Sequence, residues 1–257
     1  MKRFLIGLAS VCLASCTVIE DRSVCPCWLK VSYDECIDMT GDIRYFIWDS
    51  ASAISEGKED ISTGPHMYKT PRGLVNYSAS FNIPDESIEG YKYLLENDTE
   101  TAEFYAFWKC DIEMNDDYVE LAVEPRKQFA RFQINFIEDI SDRFQNMICE
   151  VSSSSAGIDL RSLDAVKGEY LYTCGPNRQG QIYFKLSRQG FDDLALTVYE
   201  GEDKLNTYSL SNILRDNNYD WTAPSLKDVN ITLSLTRQEV YVELGDWEDG
   251  GSFEGGL

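Results

Sequence analysis

The chain has 257 residues, 43% of them hydrophobic, and a formal charge of −21 from 44 acidic against 23 basic side chains. That apolar content excludes general disorder and suffices for one large or two ordinary domains. The acidity repels phosphate backbones, which excludes nucleic acid as a partner, and it repels anionic lipid heads as well.

Lys2 and Arg3 open the chain, Phe4 to Ala14 is apolar apart from Gly7, Ser10 and Cys12, and small residues follow. This is the three-part pattern of a secretory leader. A membrane-crossing helix needs roughly 20 apolar residues, and this run gives way too early, to Glu20, Asp21 and Arg22. Leu13-Ala14-Ser15-Cys16 resembles the bacterial lipobox, so residues 1–15 are expected to be a lipoprotein signal peptide and Cys16 the lipid-attachment residue. Each buried methylene contributes about 0.8 kcal/mol, so several acyl chains on Cys16 would form a lasting membrane anchor. By the same resemblance, Thr17 after the cysteine favours outer-membrane delivery, and Glu20-Asp21 resembles the acidic export signal of surface lipoproteins. Residues 16–24 then form a lipidated linker.

Beyond the linker, two-residue alternation dominates, as expected of strands with one buried face. It runs through residues 28–33, 75–81, 118–124, 130–136, 181–187, 194–199, 229–236 and 240–244. Residues 43–48 (IRYFIW) and 103–108 (EFYAFW) are apolar on both faces, which suits central strands or sheet junctions. Helical signal is confined to 85–97 and 209–215. Prolines and glycines fall in the gaps, and many short strands with irregular connections predict an all-β protein of tandem β-sandwiches. A division at Pro125 gives an N-terminal sandwich, 25–125, and a C-terminal one, 126–257, ending in a short Gly-rich tail. Tyr-Val-Glu-Leu at 118–121 and again at 241–244 suggests an internal repeat.

Setting aside Cys12 and Cys16, the cysteines are Cys25, Cys27, Cys36, Cys110, Cys149 and Cys174. In an oxidising compartment they are candidates for up to three disulfides, among whose connectivities the sequence does not choose. Cys25-Pro26-Cys27 is too tight to close on itself, and Cys36 and Cys110 are the preferred partners. His66 is the only histidine, in a predicted loop, which leaves a nucleophilic triad without a base and disfavours zinc. No phosphate-cradling loop or nucleophile elbow is present. Catalytic residues, metal ligands and cofactors are therefore all expected to be none. Aromatic content of 12% with 15 tyrosines suits core packing or a glycan-stacking surface.

With Cys16, Glu20-Asp21, Cys25-Pro26 and the alternating strand Trp28 to Tyr33 in order, the mature start resembles the fimbrium anchoring subunits, the FimB-like lipoproteins of type V pili. Residues 129–140 resemble the family's second-domain opening and 243–251 its closing strand. The resemblance implies two tandem transthyretin-like β-sandwiches, lipid-anchored on the outer membrane and surface-exposed. It also implies a non-catalytic role: attaching the base of a fimbrium and terminating its assembly, with fimbrial stalk subunits as partners by β-strand addition. The alternative is a surface glycan-binding lipoprotein of a carbohydrate uptake system, which needs solvent-facing Trp and Tyr.

Overall fold

The computed structural model describes residues 25–36, 39, 42–137, 141–235 and 240–246. The leader, Cys16, Glu20-Asp21 and the tail from Trp247 lie outside the described residues. The first half contributes β1 (Cys27–Ser32), β2 (Asp42–Trp48), β3 (Ala53–Asp60), β4 (His66–Thr70), β5 (Gly73–Phe81), β6 (Ile88–Glu89), β7 (Lys92–Leu94), β8 (Tyr105–Met114), β9 (Tyr118–Ala122) and β10 (Arg126–Lys127). The second contributes β11 (Phe129–Ile137), β12 (Met147–Asp159), β13 (Ala165–Cys174), β14 (Gln181–Ser187), β15 (Ala195–Glu200), β16 (Asp203–Ser209), helix α1 (Leu210–Asp216), β17 (Asp228–Ser234) and β18 (Val240–Gly245).

These strands build two β-sandwiches. In the first, sheet β4-β1-β9 packs on β10-β8-β5-β2-β3; in the second, β14-β11-β17-β18 packs on the sheet that contains β16, β15, β12 and β13. Alternation explains the packing. In β1, Cys27, Leu29 and Val31 face inward while Trp28 stays exposed. In β11, Ala130, Phe132, Ile134 and Phe136 do the same. Each fully buried side chain of this size contributes about 1.5–3 kcal/mol.

One seven-strand pattern occurs twice. β1 pairs antiparallel with β4 and parallel with β9, β2 pairs with β3 and β5, and β5 pairs with β8. β11 pairs antiparallel with β14 and parallel with β17, β12 pairs with β13 and β15, and β15 pairs with β16. The repeat is thus one of topology, and the tetrapeptide echo is a coincidence. Tyr118–Leu121 lies in β9, whose counterpart is β17, whereas Tyr241–Leu244 lies in β18, an eighth strand.

A feature the sequence reading did not anticipate ties the halves together. β6 and β7 precede Pro125, yet β7 pairs with β12 of the second sandwich. Gly157 permits this crossing, since a Cβ there would lie 2.0 Å from the Tyr93 carbonyl oxygen. Phe46, Tyr93, Leu95 and Phe104 from the first half also join the second core. The two-sided pattern of 43–48 has this cause: Ile43, Tyr45 and Ile47 fill the first core while Phe46 faces the second.

The expected disulfides are absent among the described residues, where all six cysteines are thiols. The preferred partners of Cys25 and Cys27 stand in different settings. Cys36 is buried in the first core with its Sγ 3.7 Å from the Val123 carbonyl, and Cys110 is exposed on β8. Cys27 donates instead to the Met114 carbonyl at 3.2 Å. Cys149 and Cys174 sit opposite each other across β12 and β13, and burial pushes the Cys174 thiol up to about 12.

Candidate functional site

The two sandwiches differ at one sheet edge. In the second, β18 lies antiparallel along β17, with Val229 opposite Leu244 and Ile231 opposite Val242. Val242 and Leu244 pack onto the core they cover. In the first, no strand among the described residues pairs with the outer edge of β9. The hydrogen bonds from Trp28 N to Asp117 O and from Val123 N to Ser32 O fix the odd-numbered residues of β9 toward β1. Backbone N–H and C=O of Tyr118, Glu120 and Ala122 therefore point outward. An edge of this kind is a template for another strand.

The surroundings of β9 suit recognition. Lys69, Trp28 and Tyr118 stand in one row across β4, β1 and β9, with Trp28 43% and Tyr118 58% exposed. The next row is Met67, Lys30 and Glu120, in which Lys30 Nζ donates to Glu120 at 2.7 Å. At the strand's start, Arg72 bonds Asp117 at 2.8 Å and the Asn115 carbonyl. Two of the solvent-facing aromatics, Trp28 and Tyr118, are thus next to this edge, while Trp108, Tyr183 and Tyr241 are exposed on β8, β14 and β18.

A cleft of about 530 Å³ lies where the sandwiches meet. Its walls come from β8 (Phe107, Trp108), the linker (Glu124, Arg126), the β12–β13 turn (Leu163, Asp164) and two loops carrying Arg188 and Trp221. Arg188 is buried. Its Nε donates to Gln128 Oε1 at 2.7 Å, Nη1 to the Trp221 carbonyl at 2.5 Å and Nη2 to the Ala223 carbonyl at 2.6 Å. Burial lowers its pKa below the ordinary arginine value. Gln128 and Gln189, also buried, complete this frame: Gln189 accepts from Ser153 Oγ at 2.5 Å.

His66 opens β4 rather than lying in a loop, and it is mostly enclosed. Its Nδ1 pairs with Glu59, which also accepts from the Tyr68 hydroxyl at 2.6 Å. The Tyr33 and Tyr77 hydroxyls meet at 2.6 Å nearby, and burial pushes the Tyr33 phenol up to about 12. This is a satisfied polar network in the first core. Among the described residues, no three His, Cys, Asp or Glu converge on a point that would hold a metal.

No protein-family model matches the sequence, and no curated protein matches it. Solved structures do. The fimbrial anchor protein Mfa2 from Porphyromonas gingivalis is 11% identical, with TM-score 0.57 over 87% of this chain and 98% of that one. A candidate adhesin from Bacteroides thetaiotaomicron is 15% identical, with TM-score 0.58 over 88% and 98%. A candidate polysaccharide-binding protein from the same species is 13% identical, with TM-score 0.60 over 86% and 96%. At these identities the likeness establishes a shared fold, the tandem β-sandwich.

Proposed function

We propose that this chain is a non-catalytic, surface-exposed outer-membrane lipoprotein that holds the base of a fimbrium through strand addition and ends its growth. The observation that carries this reading is that, among the described residues, no strand lies beside the outer edge of β9, whereas in the second sandwich β18 lies beside β17. A stalk subunit lending an alternating strand antiparallel to β9 would complete the first sandwich as β18 completes the second. Backbone hydrogen bonds would supply affinity and alternate side chains specificity. Lipid on Cys16, nine residues before the first described residue, would then transmit load to the membrane. The shared fold with a fimbrial anchor protein supports the same reading.

Two variants test it. Cys16→Ala should release fimbriae into the medium. Glu120→Pro removes an outward N–H from an edge strand, a position that tolerates proline. It should leave the protein folded by circular dichroism and lipidated, yet strip fibres from the cell. Fibres retained at the wild-type level by Glu120→Pro would overturn the β9 assignment.

A further inference from the structure

The cleft between the sandwiches shares no residue with β9 and plays no part in strand addition. We propose that it is a binding site for a neutral saccharide. Its volume of about 530 Å³ falls in the range of small-ligand sites, which favour domain interfaces.

The cleft is preformed. Arg161 packs 3.4 Å over the Tyr91 ring and 6.0 Å from Trp48, joining the halves at one side. Lys127 Nζ bonds the buried Asp228 at 2.6 Å at the other, and Gln128 N bonds the Phe104 carbonyl at 3.1 Å. Leu163, on the wall, is held in the left-handed region at φ 62, the one such position among the described residues not occupied by Gly, Asn or Asp. Its N–H bonds the Asp159 carbonyl at 2.8 Å, while Asp159 N bonds the Asp164 carbonyl at 2.9 Å. Backbone strain in a bulky residue persists only where its surroundings over-determine it, and such positions cluster at ligand sites.

The chemistry selects the ligand class. Trp108, 45% exposed, offers an aromatic face, and Leu163 and Pro224 extend the apolar wall. A sugar ring presents C–H groups to such a surface and hydroxyls around its rim. Charges in the cleft balance: Arg126 and Arg188 against Glu124 and Asp164. In a chain of charge −21, that local neutrality suits neither a polyanion nor a cation. The Asp164 and Glu124 carboxylates accept from hydroxyls, and Arg126, half exposed and bonded to Glu124 at 2.7 Å, has further N–H groups to donate, whereas Arg188 is held in its own frame. A peptide strand is disfavoured, because the lining of β8 at Ala106 already pairs with both β5 and β10.

The test titrates the full chain with cellohexaose, maltohexaose, mannohexaose and hexagalacturonate, read by calorimetry and tryptophan fluorescence. At least one neutral hexasaccharide should bind one to one and more tightly than the acidic one. Trp108→Ala should weaken that binding by about tenfold or more, while Trp28→Ala, on the outer face of β1, should leave it unchanged. No neutral binding at millimolar concentration, tighter binding of hexagalacturonate, or equal effects of the two tryptophan variants would overturn the proposal. Fibre retention is a separate readout, so this failure and that of the anchor reading are distinguishable.

Discussion

Both sandwiches follow one strand order, but among the described residues the second carries an eighth strand, β18, beside β17, whereas the corresponding sheet of the first ends at β9. The second covers β17 with β18, caps the space beside its sheets with α1, and draws Phe46, Tyr93, Leu95 and Phe104 across from the first half. In the first, β9 has no outer neighbour among the described residues, and a polar network of Tyr33, Tyr77, Tyr68, Glu59 and His66 lies within the core region. The difference teaches that one strand order tolerates different edges: the second sandwich extends its core with β18, and the first ends at β9, the edge the proposed function uses.

The largest test of that division is Phe132→Ala. Phe132 is fully buried in the second core and stacks on Phe184 at 5.0 Å between centroids. The substitution should lower the unfolding free energy by about 3–5 kcal/mol. In urea both sandwiches should then unfold in one shifted transition. A first-sandwich transition that stays in place would show that it does not depend on its neighbour.

A smaller effect isolates the crossing. Gly157→Ala forces a methyl group against the Tyr93 carbonyl, where β7 meets β12. It should cost about 1–3 kcal/mol and split the urea transition in two. A single transition at the wild-type midpoint would show that other contacts couple the halves.

The smallest effect comes from the Glu103–Arg131 pair, made of bonds at 2.7 and 3.3 Å between the halves. The Arg131 hydrogen bond holds the Glu103 carboxyl below its ordinary 4.5. Its contribution is therefore present above that ordinary value and lost as pH falls through the lower folded one. Glu103→Gln should destabilise by less than about 1 kcal/mol at neutral pH, and thermal melts should show the gap closing in acid. A gap that persists in acid would mean the charge pair is not the tie.

Much of the fold is legible in the sequence because one-sided burial writes itself as alternation. Residues 181–187 are β14 to the residue, and 229–236, 130–136 and 240–244 match β17, β11 and β18 closely. The longest strand, β12, is not legible. Its inward positions include Ser153 and Ser155, which look polar in sequence but are buried. Ser153 bonds Gln189, and Ser155 accepts from Gly190 N at 3.0 Å, so partners from a loop distant in sequence make serine acceptable there. The segment 85–97, read as a helical turn or two, forms a short 3-10 turn and then β6 and β7, because pairing with β12 overrides weak local helix preference.

The candidate sites divide in the same way. Trp28, Tyr118 and Trp108 are visible as aromatics, but only the sheets reveal which of them face solvent and what stands beside them. Arg188 carries no sequence signal, since its acceptors are the neutral Gln128 side chain and backbone carbonyls of residues 221, 223 and 224. The sequence by itself determined the all-β class and the principal strands, because burial period is a local property. Only the tertiary structure decided the register, the strand exchange between halves, the placement of the cysteines and, among the described residues, the unpaired edge of β9. Those depend on which residues distant in the chain come to lie side by side.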